Sequence, residues 1–199
     1  MKLVLASGNP GKLREIVAIL APLSIEVIAQ SALGIGEAEE PHPTFVENAL
    51  AKARHASRAA RLPALADDSG LCVEALGGAP GVDSAYYAGR EGSRQQRDAR
   101  NNQKLLSSLK DERGAYYCCL MVLIRHPDDP RPLIAEGIWR GEIARAPRGS
   151  NGFGYDPLFY LHHLGQTAAE LDAEEKNRIS HRGIALAKLI TLLNENRGD

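Results

Sequence analysis

The stretch KLVLASGNPGKLREIVAIL, residues 2–20, reads as a strand, a glycine-containing turn and a helix in immediate succession. KLVLA (2–6) is short and apolar, as a buried strand is. Asn9 suits a helix N-cap and Pro10 the first helical position. Leu13, Ile16, Val17 and Leu20 then recur at i, i+3, i+4 and i+7, the spacing of a helix with one apolar face. The turn itself, SGNPGK, places a lysine and a helix N-terminus behind a strand. The positive end of the helix and its first N–H groups suit an anion, and Lys12 adds a point charge there. It is not a P-loop, which requires GxxxxGK followed by Ser or Thr; only three residues separate Gly8 from Lys12, and Leu13 follows. A plain β–α turn with a surface lysine fits the same residues equally well.

Outward from this unit the chain alternates. IEVIA (25–29) reads as a second strand, and 44–62 as a helix with a Thr44/Glu47 capping box. PALADDSGLCVEAL (63–76) reads as strand, tight turn, strand, followed by a GGAPG turn. SRQQRDARNNQKLLSSLK (93–110) is a polar helix ending in a Leu105, Leu106, Leu109 face. AYYCCLMVLIR (115–125) is the strongest candidate for a central strand. PLIAEGIWRGEIA (132–144) is expected to pair with it through the HPDDPRP turn. GSNGFGYDPLF (149–159) holds too many glycines for regular structure. A helix beginning near Ser180 carries Leu186, Leu189, Ile190 and Leu193 on one face. Helices interleaved with strands, some of them adjacent, predict α/β with a mixed sheet.

The 199 residues suffice for one well-buried core, and without repeats or linkers the chain is expected to be a single domain, 1–199. Lys and Arg number 24 against 25 Asp and Glu, so no global field favours nucleic acid or an anionic membrane. No apolar run approaches the roughly 18–20 residues of a span, and the N-terminus lacks a signal peptide's apolar segment. A cytoplasmic protein is expected. Cys72, Cys118 and Cys119 form neither a disulfide framework nor a metal ligand set and read as buried thiols.

Four further stretches could carry chemistry. In ADDSG, two consecutive carboxylates at the end of a buried strand need compensation; a divalent cation would supply it, and an Asx-type turn would avoid the problem. GEAEEPHP (36–43) is an acidic loop, solvated unless the fold brings it to Asp68. NGFGYDP could present the Phe153 face for stacking on a base, or bury it. In EEKNRISHRGIAL, Lys176, His181 and Arg182 supply donors around a helix start, as a charged helix terminus also would.

Taken in this order, SGNPGK, EE…TFVENALAKA, LADDSGLCVEALGGAPGVDSA, GFGYDP and EKNRISHRGIAL resemble the ITPase family over nearly the whole chain. This is the family of inosine/xanthosine triphosphate pyrophosphatases, and the subgroup approached is that of the bacterial dITP/XTP enzymes. The resemblance implies an elongated, two-lobed α/β fold with a central mixed β-sheet flanked by helices and an active-site cleft between the lobes, usually as a homodimer. It implies Mg²⁺-dependent hydrolysis of deaminated purine nucleoside triphosphates (dITP/ITP, XTP/dXTP) to monophosphate and pyrophosphate, cleansing the nucleotide pool. Carried over by position, Ser7, Gly8, Asn9, Pro10, Gly11 and Lys12 contact the triphosphate, with Lys52 as a further phosphate-side lysine. Asp68 is the proton acceptor and a metal ligand beside Ser69, and Glu39, chosen over Glu40, is the second ligand. Phe153, Gly154, Tyr155 and Asp156 line the nucleotide site, while Lys176, His181 and Arg182 read the purine. Side chains that only donate favour O6 over an amine, and unpaired donors discriminate by up to about 10⁴–10⁵; rejection of guanosine must involve its 2-amino group. One departure is SAYY, with Tyr86 where the family usually has arginine and with Arg90 close by in sequence. The alternatives are a related pyrophosphatase for modified pyrimidine or methylated nucleotides, and a catalytically silent nucleotide-binding regulator.

Overall fold

The computed structural model describes residues 2–23 and 25–196. Its opening unit follows from the local chemistry. β1 (Lys2–Ala6) enters α1 (Pro10–Leu20), whose N-cap Asn9 accepts from the N–H groups of Gly11 and Lys12. β2 (Glu26–Ala29), α2 (Phe45–Ala60) and β3 (Ala64–Val73) follow, then α3 (Arg94–Ser108), β4 (Gly114–Ile124) and β5 (Leu133–Ile143). The chain closes with β6 (Phe159–Leu161), β7 (Gln166–Thr167), α4 (Ala173–Ile179) and α5 (His181–Glu195). The expected C-terminal helix is thus α5, with the short α4 set before it.

The strands form one seven-stranded sheet in the order β2-β1-β3-β4-β5-β6-β7, with β4 in the middle. β1 runs parallel to β2 and β3, whereas β6 is antiparallel to both β5 and β7, so the sheet is mixed.

The chain divides into two compact units: Met1–Asp68 with Cys119–Gly137 and His181–Asp199, and Ser69–Cys118 with Ile138–Ser180. In the first, strand alternation sorts the core. Leu3, Leu5 and Leu65 face Ile16 and Leu20 of α1 and Leu186 and Leu189 of α5. Val4, Ala6, Ala64 and Ala66 face the opposite way, onto Ala49, Ala53 and Ala56 of α2. Those three alanines are fully buried, and their small side chains let the helix lie close to the sheet. The second unit is built on Leu71, Val73, Leu105 and Leu158. Phe159 packs there 4.7 Å from Tyr117 and 5.1 Å from Trp139 between ring centroids, separations that favour aromatic pairs. All three cysteines are buried thiols.

The expectation of strand, turn, strand across 63–76 is corrected. ADDSG lies inside one continuous ten-residue strand, β3, followed by a 3₁₀ turn at Glu74–Leu76. Two carboxylates can stay in a buried strand because cations from other elements reach both of them. Gly70 then admits a close crossing: a Cβ there would lie 2.2 Å from the Gly81 carbonyl oxygen. In α2, the Thr44 oxygen accepts from the Glu47 N–H as expected, while its hydroxyl donates to the Glu47 carboxylate at 2.5 Å.

Candidate active site

Because side chains alternate along a strand, Asp67 continues the Leu65 face toward α1 and α5, and Asp68 continues the Ala66 face toward α2. Each meets its own counterions. Asp67, with a side chain wholly shielded from solvent, takes Lys12 Nζ at 2.9 Å and the Arg182 guanidinium at 3.5 Å. Arg182 is itself held by Glu15 of α1. The result is a buried row of alternating charge: Lys12, Asp67, Arg182, Glu15. Burial would raise the Asp67 carboxyl, but Lys12, Arg182 and Lys52 outweigh it and hold it well below the usual range.

On the other face, Lys52 Nζ donates to Asp68 Oδ1 at 2.8 Å and to Glu40 at 3.0 Å, and Asn48 Nδ2 lies 3.4 Å from Asp68 Oδ2. Asn48 and Lys52 stand one turn apart on α2, which is what brings both to one carboxylate. Glu40 and Asp68 thus both accept from the one Lys52 ammonium. Burial raises the Asp68 carboxyl, Lys52 and Lys12 oppose that, and Glu40 adds to the rise; the outcome is a carboxyl above its ordinary value. Glu40 is lowered, burial being outweighed by Lys52, and Lys52 is raised because Asp68, Asp67 and Glu40 overcome its desolvation.

The acidic loop reaches this site through Glu40, which shares Lys52 with Asp68; Glu39, the expected ligand, and Glu40 are both exposed. Two carboxylates that converge on a single ammonium leave negative charge that a divalent cation would relieve. Among the described residues no cluster of three His, Cys, Asp or Glu could hold a metal. A two-carboxylate site fits Mg²⁺, which prefers one or two carboxylates plus phosphate oxygens and water.

In the SGNPGK turn, Asn9 Oδ1 accepts from the Gly11 and Lys12 N–H groups at 2.9 and 3.2 Å, and Ser7 Oγ accepts from Asn9 N–H. These amides are therefore engaged by the cap. Gly8 is exposed, and a Cβ on it would lie 1.7 Å from Glu37 Oε1, so the loop's first glutamate presses against the turn. Pro10 is exposed and Gly11 buried. His181 is buried at the start of α5, where its carbonyl oxygen would lie 1.9 Å from a Cβ on Gly137.

The second unit gathers another group. Asp156 is buried and accepts from Lys176 Nζ at 2.5 Å, from the Phe153 N–H at 2.8 Å and from the Tyr117 hydroxyl at 3.4 Å. Lys176 Nζ and the Arg94 guanidinium lie 4.9 and 5.0 Å from the centre of the Phe153 ring. Tyr155 is buried, with its hydroxyl donating to the Ser84 carbonyl at 2.9 Å. Ser69 is partly buried in β3. Tyr86 is 36% exposed, with the Arg90 guanidinium 4.2 Å and that of Arg97 5.5 Å from its ring centre.

Sequence reasoning did not single out Glu15, Asn48, Arg94, Asp98 or Asn102. Only Asn48 carried a usable signal, its helical spacing from Lys52.

The profile of the Ham1 family matches residues 3–192. A relative from Nitrosomonas europaea, named dITP/XTP pyrophosphatase, is 63% identical over 98% of this chain and 95% of its own. One of the same name from Burkholderia pseudomallei is 60% identical over 98% and 95%. Among solved structures, a HAM1 protein from Coxiella burnetii superposes with a TM-score of 0.89 at 50% identity, covering 98% of this chain and 99% of that one.

Proposed function

The chain belongs to the Ham1 family, and from that premise we propose that it hydrolyses non-standard purine nucleoside triphosphates, dITP/ITP and XTP/dXTP, to the monophosphate and pyrophosphate. The observation that carries the reaction is the pair of adjacent carboxylates turned to opposite faces of β3, each with its own lysine: Lys12 on Asp67 and Lys52 on Asp68.

Asp68 is the proton acceptor. Burial and Glu40 raise its carboxyl, which makes it a better base than an ordinary aspartate for taking the proton of an attacking water. That water attacks the α-phosphorus, its proton passes to Asp68, and pyrophosphate leaves. Lys12 and Lys52 meet the negative charge of the phosphates, and the Ser7–Lys12 turn positions them. Asp68 with a carboxylate of the Glu39–Glu40 pair would hold Mg²⁺, which would supply charge neutralisation of the polyphosphate; the Lys52 contact favours Glu40. Little covalent chemistry is asked of the protein, so positioning and charge stabilisation dominate.

Phe153 is the stacking face for the purine, and Asp156 and Lys176 are the polar groups beside it. His181 and Arg182 complete the donors assigned to base reading, with Arg182 also fixed to Glu15 and Asp67. We further propose that the protein acts in the cytoplasm as a homodimer. Among the described residues no helix is long and apolar enough to cross a membrane.

The test is pyrophosphate release from dITP, XTP, dATP and dGTP, with and without Mg²⁺, beside an Asp68→Asn control. Release confined to dITP and XTP, dependent on metal and lost in the control, is expected. A folded wild type that binds ITP but releases nothing from any of the four refutes the reaction.

A further inference from the structure

The polar helix α3 has a use that its composition hides. Arg94, Asp98 and Asn102 stand at i, i+4 and i+8, along one face. Asp98 Oδ2 accepts from the Gly154 N–H at 3.2 Å, and Asn102 Nδ2 donates to the Gly154 carbonyl at 3.0 Å. Asp156 deals with the preceding residue: its carboxylate accepts from the Phe153 N–H at 2.8 Å, and its own N–H donates to the Phe153 carbonyl at 3.2 Å. Every backbone polar group of Phe153 and Gly154 is thus tied, half of them to α3, in a segment with no strand or helix of its own. Arg94 lies over the Phe153 ring and within 3.8 Å of Asp98, adding a third point of contact from the same face. Asn101, the buried neighbour, does the same for the 84–88 segment: its Oδ1 accepts from the Ala88 N–H at 2.7 Å and its Nδ2 donates to the Ser84 and Ala85 carbonyls.

We propose that Asp98 and Asn102 are positioning residues for base recognition, fixing the Gly154 peptide and through it the angle at which the Phe153 ring is presented. The inference rests on the reading of Phe153 as the stacking face. A ring on an irregular loop stacks well only if its backbone is held, since each loose dihedral must be ordered on binding. Gly154 has φ +63°, a conformation that lets its N–H and carbonyl both reach α3. The polar run RQQRDARNNQ is accordingly a loop-holding face as much as a solvated one.

The two contacts have opposite polarity, which makes the test sharp. Asp98 must accept and Asn102 must donate. Asp98→Asn keeps an accepting oxygen, whereas Asn102→Asp sets a carboxylate against a carbonyl, although both swaps are isosteric. The experiment measures the Kd for dITP by calorimetry without divalent metal, and then kcat and the dITP-to-dGTP ratio of kcat/KM with Mg²⁺. The variants are Asp98→Ala, Asp98→Asn, Asn102→Asp and Asn102→Ala, with Phe153→Ala as the reference. Asp98→Ala and Asn102→Asp are expected to weaken dITP binding about tenfold, the scale of one well-placed hydrogen bond. They should lower the dITP-to-dGTP ratio and leave kcat nearly unchanged, with Asp98→Asn recovering most of the loss. Asn102→Ala gives the same reading if the aspartate variant does not fold. The proposal is overturned if Phe153→Ala weakens binding while the α3 variants bind and discriminate as wild type. It is overturned together with the base-side reading if Phe153→Ala itself binds dITP normally. An inactive wild type would refute the hydrolytic reading alone, because Kd is measured without turnover.

Discussion

Replacing Asp67 by asparagine removes one negative charge from the buried row Lys12–Asp67–Arg182–Glu15 with almost no change of shape. Both cations reach the same oxygen, Oδ2, at 2.9 and 3.5 Å, so they lie within about 6.4 Å of each other and lose the charge between them. At that separation their repulsion is about 2–3 kcal/mol for an effective dielectric near 20. Breaking a buried ion pair costs about 3–5 kcal/mol. Lys12, 14% exposed, can turn toward water, and Arg182 keeps Glu15, which puts the loss at the lower end, about 3 kcal/mol. For a chain of this size that is a fall in Tm of about 6–12 °C at neutral pH. The pH dependence carries the sign. The native carboxyl lies below its unfolded value, near 3.9, so its contribution is complete above that value and fades as pH falls through the lower native one. Thermal melts of wild type and Asp67→Asn from pH 7 down to pH 3 should therefore differ most at neutral pH, with the gap beginning to narrow only below about pH 4. A Tm within 2 °C of wild type at pH 7, or a gap that widens in acid, refutes the reasoning.

Lys12→Ala should lose pyrophosphatase activity while remaining folded by circular dichroism; full activity would remove it from the phosphate side. Lys52→Gln takes away the main group holding the Asp68 carboxyl down, so the acid limb of the kcat/KM profile should move to higher pH, and an unmoved limb would exclude Asp68 as the titrating base. Gly70→Ala should destabilise by about 2–3 kcal/mol, since the added carbon meets the rigid Gly81 carbonyl at 2.2 Å; denaturant melts matching wild type would contradict that crossing. Asp129 accepts from the Arg125 and Arg131 N–H groups at 2.9 Å each and closes the turn between β4 and β5, so Asp129→Ala should lower stability by about 1–3 kcal/mol, checked by urea melts.

What could be read from the chain alone was what local chemistry decides. Asn9 and Pro10 placed the start of α1 and the Leu13–Leu20 periodicity its apolar face, and the apolar run at 115–125 placed the central strand. The ADDSG segment failed for a physical reason. The rule that two carboxylates resist burial was sound, but the cations that answer it come from Lys12, Lys52 and Arg182, up to 115 residues away in sequence. Nothing local shows that they will arrive. In the acidic loop, Glu39 and Glu40 could not be told apart because an irregular segment has no period to fix which side chain turns inward. In α3, apolar spacing marked the leucines, and the asparagines looked solvated because their partners are loop backbones.

The alternation at Asp67 and Asp68 also bears on how this strand can change over time. Hydrophobic neighbours tolerate volume-conserving exchange: isoleucine or methionine could stand for Leu65 or Leu71 at under about 1.5 kcal/mol. Length is another matter. Loss or gain of one residue between Ala64 and Asp68 would turn each carboxylate to the other helix's side, pairing Lys52 with the wrong aspartate and leaving Arg182 facing its neighbour. Lineages of this chain should therefore accumulate substitutions in β3 but confine insertions and deletions to irregular segments such as 34–43, where no charge has to keep count.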